Sequence, residues 1–596
     1  MTAKDILDKY ISFFESRGHT RIENSSLVPL NDPTTLFTSS GMQPLLPFLL
    51  GETHPSGIRL VNAQNCFRAQ DIDEIGDNRH TTFFRMLGNW SLGDYFKKEQ
   101  IPWFFEFLTD GIGLDPNKLY VTVFKGSDAI EKDTESYEIW KGLFESKGIS
   151  TENRIFEYGV EKNWWSRAGV PDNMPVGEPG GPDSEVFYDF GTEHKVEFGE
   201  KCHVNCDCGR YMEIGNSVFM QYIKTESGFE NLPKQNVDFG GGLERLLAAS
   251  ENQQDIFKTH LYSQAIEALE NLTKNGLNYD QNPKPYRIIA DHLNAATFLV
   301  SSGAVPSNKG QGYVVRRLIR RAMIQARELG MEGDEWFTNI APTLEVQNNV
   351  DGSLKMDPQE ISQIITAEID QFRKTINQGL KIVEKYTEDQ LNALNAFNLF
   401  QSHGFPVEIT RELFEKRGKS VDMEEYNRVY EAHKKLSQTA SASMFKGGLA
   451  DHSELTVKGH TATHLLHQAL RDVLGDSVHQ TGSNITSERV RFDFAYDKKV
   501  TEEELAKVKE IVLEKIKEDL PVHFEIMPIE KAKSLGAIGL FDDKYAKDVK
   551  IYFVGDYSIE FCGGPHVEHT AQINTFDILK EEGVARGVRR VYAKVS

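Results

Sequence analysis

Two stretches, far apart in the chain, carry residue types that bind a transition metal. In KGHTATHLLHQAL (458–470), His460 and His464 stand four apart. On a helix that spacing stacks two side chains on one face, where two imidazoles can reach one ion. In EFCGGPHVEH (560–569), Cys562 and His566 bracket a glycine turn. Together the four residues make a mixed nitrogen–sulfur donor set of the kind zinc takes. The plain alternative is a coincidental histidine pair on an amphipathic helix; the neighbouring His467 and His569 are not expected to be ligands. A third group, Cys202, His203, Cys206 and Cys208 in KCHVNCDCGR (201–210), with His194 nearby, could hold another ion. Its Cys-x-x-x-Cys-x-Cys spacing fits no standard zinc knuckle, so reduced, partly buried thiols are the expectation there.

A different chemistry is suggested by LVNAQNCFRAQDIDEIGDNRHTTFFRMLGNWSLGDYF (60–96). Two strand-like runs flank a polar loop, the pattern of a long antiparallel hairpin. Arg68 ends the first run, where a rigid backbone could aim a guanidinium at a phosphate. In NVDFGGGLERLLAAS (236–250), a strand passes through three glycines into a helix bearing Arg245. Adjacent glycines let a backbone approach a ligand closely, although a lone glycine triplet is more often a turn. YVVRRLIRRAMIQAR (313–327) places Arg316, Arg317, Arg320 and Arg321 around Leu318 and Ile319, so that one face buries and another is positive. Such a face suits an RNA backbone or, more plainly, solvent.

The elements that must hold these residues belong to a large soluble chain. Its 596 residues exceed one core and suggest three or four domains. Hydrophobic content of 39% and aromatic content of 10% are those of a globular enzyme. Net charge is −22, from 67 basic against 89 acidic residues, so a nucleic-acid partner needs a local basic patch. Five cysteines cannot form a disulfide framework, which points to a reducing compartment. MTAKDILDKYISFFESRG reads as an amphipathic helix rather than a signal peptide or anchor. No apolar run is long enough to span a bilayer, and a cytoplasmic protein without a membrane partner is expected.

Residues 1–250 mix short strands, helices and glycine turns without a βαβ rhythm, a G-x-G-x-x-G or a Walker loop, which argues against a doubly wound nucleotide fold. Residues 251–437 read as helical, 438–454 as a small-residue linker, and 455–596 as a compact domain of helices and strands. The expected class is a multidomain α+β protein.

The strings TSSGMQPLLPFLLG, CFRAQDIDEIGDNRHTTFFRMLGNWSLGDYF, MEIGNSVFMQY, GAVPSNKGQGYVVRRLIRR and HTATHLL…FCGGPH, in that order, resemble the alanyl-tRNA synthetase family, within the class II aminoacyl-tRNA synthetases. The resemblance runs along the whole chain. It implies a class II antiparallel-sheet catalytic domain over 1–250, a helical domain reading the tRNA acceptor stem over 251–437, and a zinc-binding editing domain over 455–596. The implied reaction activates L-alanine with ATP and Mg2+ as an adenylate and transfers it to tRNA(Ala). In that family pattern Arg68 grips the α-phosphate and Arg245 the γ-phosphate end, both in catalytic roles; Phe84 stacks on adenine, and Met86, Gly240 and Gly242 complete the ATP site. Asp238 holds the substrate ammonium, Trp165, Asn216 and Val218 form the pocket wall, and Met42 stands near its entrance. Arg85 departs from the pattern, which usually has glutamate there, and no magnesium ligand is assigned.

The resemblance further implies that Asn308 reads a G·U pair while Arg316, Arg317, Arg320 and Arg321 grip phosphates, contacts that position without specifying. His460, His464, Cys562 and His566 become the Zn2+ ligands of the editing site, and Gln480 faces the mischarged ester. Editing has a physical reason. A pocket for a methyl group gains only about 1–3 kcal/mol over glycine, and rejects an added hydroxyl poorly. Seryl- and glycyl-tRNA(Ala) therefore need a hydrolytic second site. Longer relatives carry a β-barrel, a coiled coil and a C-terminal domain for which this chain has no room, so a compact, monomeric form is expected. Two rivals stand beside this reading: a synthetase-like RNA-binding protein that activates no amino acid, and a zinc-dependent aminoacyl-tRNA hydrolase only.

Overall fold

The computed structural model describes residues 1–596 apart from 30–34, 275, 332, 334, 416, 433–453, 487–488, 539–547, 563 and 586. The expected linker, 438–454, lies outside the described residues except for Glu454. The chain forms two compact units, Met1–Leu380 and Lys381–Ser596, so the boundary falls inside the stretch grouped from sequence as one helical domain.

The first unit is built on a nine-stranded sheet. Its strands are β1 (Thr20–Arg21), β2 (Arg59–Phe67), β3 (Phe83–Leu92), β4 (Leu119–Phe124), β5 (Ile155–Tyr158), β6 (Trp164–Ser166), β7 (Pro179–Asp189), β8 (Tyr211–Thr225) and β9 (Gly228–Gly242). The order is β1-β2-β3-β9-β8-β7-β4-β5, with β6 on β7. Only β1–β2 and β4–β5 are parallel, so this is an antiparallel sheet and not a doubly wound one. The hairpin expected over 60–96 is β2–β3, in register from Arg59↔Ser91 to Phe67↔Phe83. Strand β3 then pairs with β9, setting Trp90 opposite Asp238, and β8 sets Val218 opposite the same Asp238.

The first helix, Ala3–Glu15, starts at a capping box of Thr2 and Asp5 and buries Ile6, Tyr10 and Phe14. Helix Pro283–Ser301 is buried along most of its length because it is held between the hairpin and the helices Gly310–Glu328 and Glu335–Asn348. There Phe83 stacks on Phe298 with ring centres 4.1 Å apart, and the Thr82 amide and hydroxyl each donate 2.7 Å bonds to Asp291. Helix Leu243–Ser250 leaves β9 directly and carries Glu244, whose carboxylate accepts from the Arg85 backbone N–H at 3.0 Å and from Arg85 Nη1 at 2.9 Å. Both side chains are buried, and Arg85 Nη2 also donates to the carbonyl of Asn348. Arg85 is thus turned into the protein and away from any ligand.

The second unit holds helices Ala393–His403 and Val407–Glu415, then the long helix Glu454–Leu474. Its strands are β10 (Gln480–Ile485), β11 (Val490–Ala495), β12 (Val522–Pro528), β13 (Asp548–Val554), β14 (Ser558–Phe561), β15 (Phe576–Ala585) and β16 (Val588–Val595), in two sheets ordered β10-β11-β16-β15 and β12-β13-β14. Leu465, Leu466, Phe492, Phe494, Val508 and Val591 share one core. Gly459 sits where helix and sheet meet: a Cβ there would lie 2.8 Å from Ile485 Cγ2. No helix among the described residues is long and apolar enough to cross a membrane.

Replacing Glu244 with glutamine removes the charge that compensates a buried guanidinium. We expect a stability loss of about 3 kcal/mol or more, read as a lower urea midpoint for the unit that contains the nine-stranded sheet.

Candidate active sites

In the first unit, β3, β8, β9 and the hairpin loop enclose a cavity of about 340 Å³ whose lining includes Arg68, Phe84, Met86, Gly240, Gly242 and Arg245. A larger cavity, about 630 Å³, lies between β2 and the segment around Asp351 and contains none of the expected site residues. Arg68 continues the hairpin past β2: its amide bonds to the Thr82 carbonyl at 2.9 Å, its Nε donates to the Ser39 carbonyl at 3.2 Å, and its guanidinium lies 4.9 Å from the centre of the Phe84 ring. Arg245 stands on the first turn after the glycines and donates to the Glu213 carboxylate at 3.1 Å. The glycines open the space between them. A Cβ at Gly88 would lie 2.2 Å from the Trp90 ring, and one at Gly240 would lie 2.9 Å from Met86 Sδ.

Beside this cavity, Met42, Trp90, Val218 and Met220 form an apolar cluster against which Trp165 packs. Trp90 Nε1 donates to Asp238 Oδ1 at 2.7 Å. The Asp238 carboxyl keeps a partly accessible edge, but the protein packed around it disfavours charge and pushes its pKa up to about 7. No cation pairs with it among the described residues. Asn216 Oδ1 is buried without a hydrogen-bond partner, on the same face of β8 as Val218. An unfilled acceptor next to an uncompensated carboxyl suits a small cationic donor such as an ammonium.

Sequence reasoning missed Trp90, although strand alternation puts it on the Phe84–Met86–Gly88 face. It also missed the carboxylates Asp183 and Glu185. Burial drives the Asp183 pKa up to about 7, and burial with the nearby Glu213 and Asp183 charges drives Glu185 upward. Crowded carboxylates of this kind fit a divalent cation.

The arginine helix, Gly310–Glu328, is less free than its spacing suggests. Arg316 and Arg320 share the buried Glu368 at 3.1 and 2.8 Å, and Arg316 also donates to the side-chain oxygen of Asn308. Arg317 and Arg321 share Asp73 at 2.7 and 3.1 Å. Asp73 is 65% exposed, so the outer pair can exchange it for another anion, whereas the inner pair is fixed.

In the second unit the four expected metal ligands come together. Donor atoms of His460, His464, Cys562 and His566 all lie within 4.8 Å of one another. Cys562 Sγ is 3.4 Å from His460 Nε2 and 3.3 Å from His566 Nε2. The other ring nitrogens are occupied: His460 Nδ1 donates to the Pro565 carbonyl at 3.0 Å, and His566 Nδ1 lies 3.2 Å from the Thr461 hydroxyl. A carbonyl only accepts, so the proton of His460 is on Nδ1 and its Nε2 presents a lone pair. Burial opposes a thiolate at Cys562, but hydrogen bonds and charge from the three imidazoles in their protonated form outweigh it and pull its pKa down to about 2; a metal ion would take the place of those protons. Lone pairs and a thiolate converging on one point fit a tetrahedral zinc set. Behind it, the buried Glu560 lies 3.6 Å from His464 Nδ1 and 3.1 Å from His467 Nδ1. His467 therefore faces the carboxylate, and His569 is exposed, bonding to the Asp519 carbonyl. Gln480 begins β10, in the sheet on which the histidine helix packs.

Residues 5–513 match the family described as tRNA synthetases class II (A), and 549–592 match the threonyl and alanyl tRNA synthetase second additional domain. The chain is 45% identical to the alanine–tRNA ligase of Treponema denticola over 615 residues, covering all of this chain and 99% of that one. It is 43% identical to that of Borreliella afzelii, again over all of this chain and 99% of the relative. Against alanine–tRNA ligase 1 of Lachnoclostridium phytofermentans, identity is 33% over 98% of this chain and 78% of the relative. A sheet without parallel nucleotide-binding rhythm, an arginine-flanked cavity and a distant histidine–cysteine cluster thus occur in a chain that belongs to the alanine–tRNA ligases, among the class II aminoacyl-tRNA synthetases.

Proposed function

We propose that this chain joins L-alanine to the 3′ end of tRNA(Ala) through an alanyl-adenylate in its first unit, and hydrolyses seryl- and glycyl-tRNA(Ala) in its second. The observation that carries the front half is the buried Asp238–Trp90 pair with the unfilled Asn216 acceptor beside it, next to a cavity flanked by Arg68 and Arg245. The alanine ammonium takes Asp238 and Asn216, and its methyl group meets the Met42, Val218 and Trp165 wall. One carboxylate oxygen of alanine attacks the α-phosphorus of ATP, and the bond to the bridging oxygen breaks to release pyrophosphate. Arg68 spreads charge over the α-phosphate and Arg245, parting from Glu213, holds the far phosphates. Phe84, under the Arg68 guanidinium, stacks on adenine.

Magnesium bound with ATP adds positive charge at the phosphates, and Glu213 with the Asp183–Glu185 pair is the carboxylate group suited to it. A terminal ribose hydroxyl of the tRNA then displaces AMP. Asn308 reads the acceptor stem, and Arg317 and Arg321, whose partner Asp73 is exposed, meet its phosphates. His460, His464, Cys562 and His566 would hold zinc. Four protein ligands would leave such an ion no open position for water, so it would organise the site rather than activate a nucleophile. Gln480 meets the mischarged ester. We take the working form to be a cytoplasmic monomer.

The deciding experiment is ATP–pyrophosphate exchange with alanine, serine, glycine and threonine in parallel. Alanine is expected to lead, with serine and glycine weaker by roughly tenfold to a few hundredfold; no alanine-dependent exchange would leave only an RNA-binding or hydrolytic role. Cys562→Ala should leave exchange intact while seryl-tRNA(Ala) accumulates.

Below pH 7, alanine must displace the proton that burial keeps on Asp238, which an unfolded chain loses near 3.8. The KM for alanine should therefore rise up to tenfold per unit as pH falls below about 7, and level off above it. Asp238→Asn should abolish that dependence and weaken alanine roughly a hundredfold. Glu560→Gln, which loosens the hold on the His464 ring, should lower zinc affinity about 10–100-fold in competition with a colorimetric chelator.

A further inference from the structure

We propose that His194, Cys202, Cys206 and Cys208 form a second zinc site, in the first unit, which clasps the connection between β7 and β8. Their donor atoms all lie within 4.8 Å of one another, although the four residues span a segment whose spacing matches no standard knuckle. The geometry fits one tetrahedral ion. Cys202 Sγ and Cys208 Sγ are 3.6 Å apart, and Cys206 Sγ is 3.7 Å from His194 Nδ1. A Zn–S bond near 2.3 Å and a Zn–N bond near 2.05 Å give tetrahedral edges of about 3.8 and about 3.6 Å. The sulfur separation is far beyond the roughly 2.05 Å of a disulfide, and pairing two of three thiols would leave the third and the imidazole unexplained.

The tautomer agrees. His194 Nε2 lies 2.7 Å from the Gly199 carbonyl, which can only accept, so Nε2 carries the proton and Nδ1 turns its lone pair toward Cys206. Cys206 and Cys208 are buried, while Cys202 and His194 are partly exposed, leaving the cluster reachable from solvent.

The segment has little else to hold it. Between Phe190 and Arg210, whose backbones bond at 3.0 Å, its one regular element is the short turn Val196–Phe198. Val196 and Phe198 point outward, and Val204 is its one fully buried aliphatic side chain. Yet this segment reaches the ATP cavity. Asp207, between two of the cysteines, pairs with Arg79 at 2.6 Å, and Gln254 donates to the Gly209 carbonyl at 2.8 Å while its own carbonyl accepts from Asn78. Asn78 and Arg79 belong to the hairpin loop whose Arg79 and His80 line the cavity. An ion bound here fixes the anchor of that loop without touching substrate.

The test is metal content of the full-length chain, purified without chelator, by mass spectrometry. Two zinc ions per chain are expected in the parent, one in Cys562→Ala, and one in a Cys206→Ser, Cys208→Ser double variant. A parent with a single ion that vanishes with Cys562→Ala, or a double variant that keeps both, would overturn the proposal. To separate loss of metal from misfolding of the double variant, the Cys562→Ala chain supplies a second reading. After cobalt exchange it should give the intense sulfur-to-metal charge-transfer absorption and tetrahedral d–d bands of a three-thiolate site. Its Cys202, Cys206 and Cys208 should resist alkylation until chelator is added. Absent cobalt bands with freely alkylated thiols, or a Cys202–Cys208 disulfide in peptide mapping, would equally refute it.

Discussion

The buried ion pair of Arg85 and Glu244 is the constraint on which the front half of the molecule depends. It joins the middle of the hairpin to the first turn of the helix after the glycines, and through Asn348 to a third element. Phe84 and Met86 flank Arg85 on β3, and Arg245 follows Glu244. Arg68 and Arg245, which line the cavity, are thus set apart by this buried link. A buried pair is weak evidence for stability, since desolvation opposes the attraction, but losing one member leaves a lone charge in the interior. Its strength here is in register: few other arrangements satisfy both groups at once.

The rest divides a selectivity problem between two units. On the function proposed above, the front cavity would use apolar packing for the small side chain and one carboxyl for the ammonium, and apolar packing discriminates poorly against one methyl or one hydroxyl. Precision passes to the second unit, where the histidine helix and a turn about a hundred residues later converge on one point. Charge is divided likewise. A chain at −22 repels polyanions on average, and the clustered Arg316, Arg317, Arg320 and Arg321 on helix Gly310–Glu328 are half neutralised by Asp73 and Glu368. What attraction remains is local and exchangeable, which suits a partner that must leave after each reaction.

Legibility followed the range of the interaction. The His460–His464 spacing fixed two donors because helix geometry is invariant, and the β2–β3 hairpin was readable because alternation and a polar loop are local signals. Trp90 was readable in principle by the same alternation. The Asp183–Glu185–Glu213 group was not, because β7 and β8 meet through bulged registers that sequence cannot supply. Nor could the partners of the arginines be foreseen, since Asp73 lies 244 residues from Arg317. The unit boundary at Leu380 escaped for a similar reason: periodicity tells that a helix has an apolar face, not which neighbour will cover it. Around Cys206 the cysteine spacing matched no knuckle, yet an irregular loop brings His194, twelve positions earlier, to 3.7 Å from Cys206 Sγ.

Thr461 has a single hydroxyl, yet it meets the Val457 carbonyl, the Val567 amide and the His566 ring. With the Pro565 carbonyl fixing His460, the imidazoles are oriented by ordinary peptide and alcohol groups. One alcohol therefore ties the histidine helix to the turn that bears Cys562 and His566, so the spacing of the two donor pairs hangs on it.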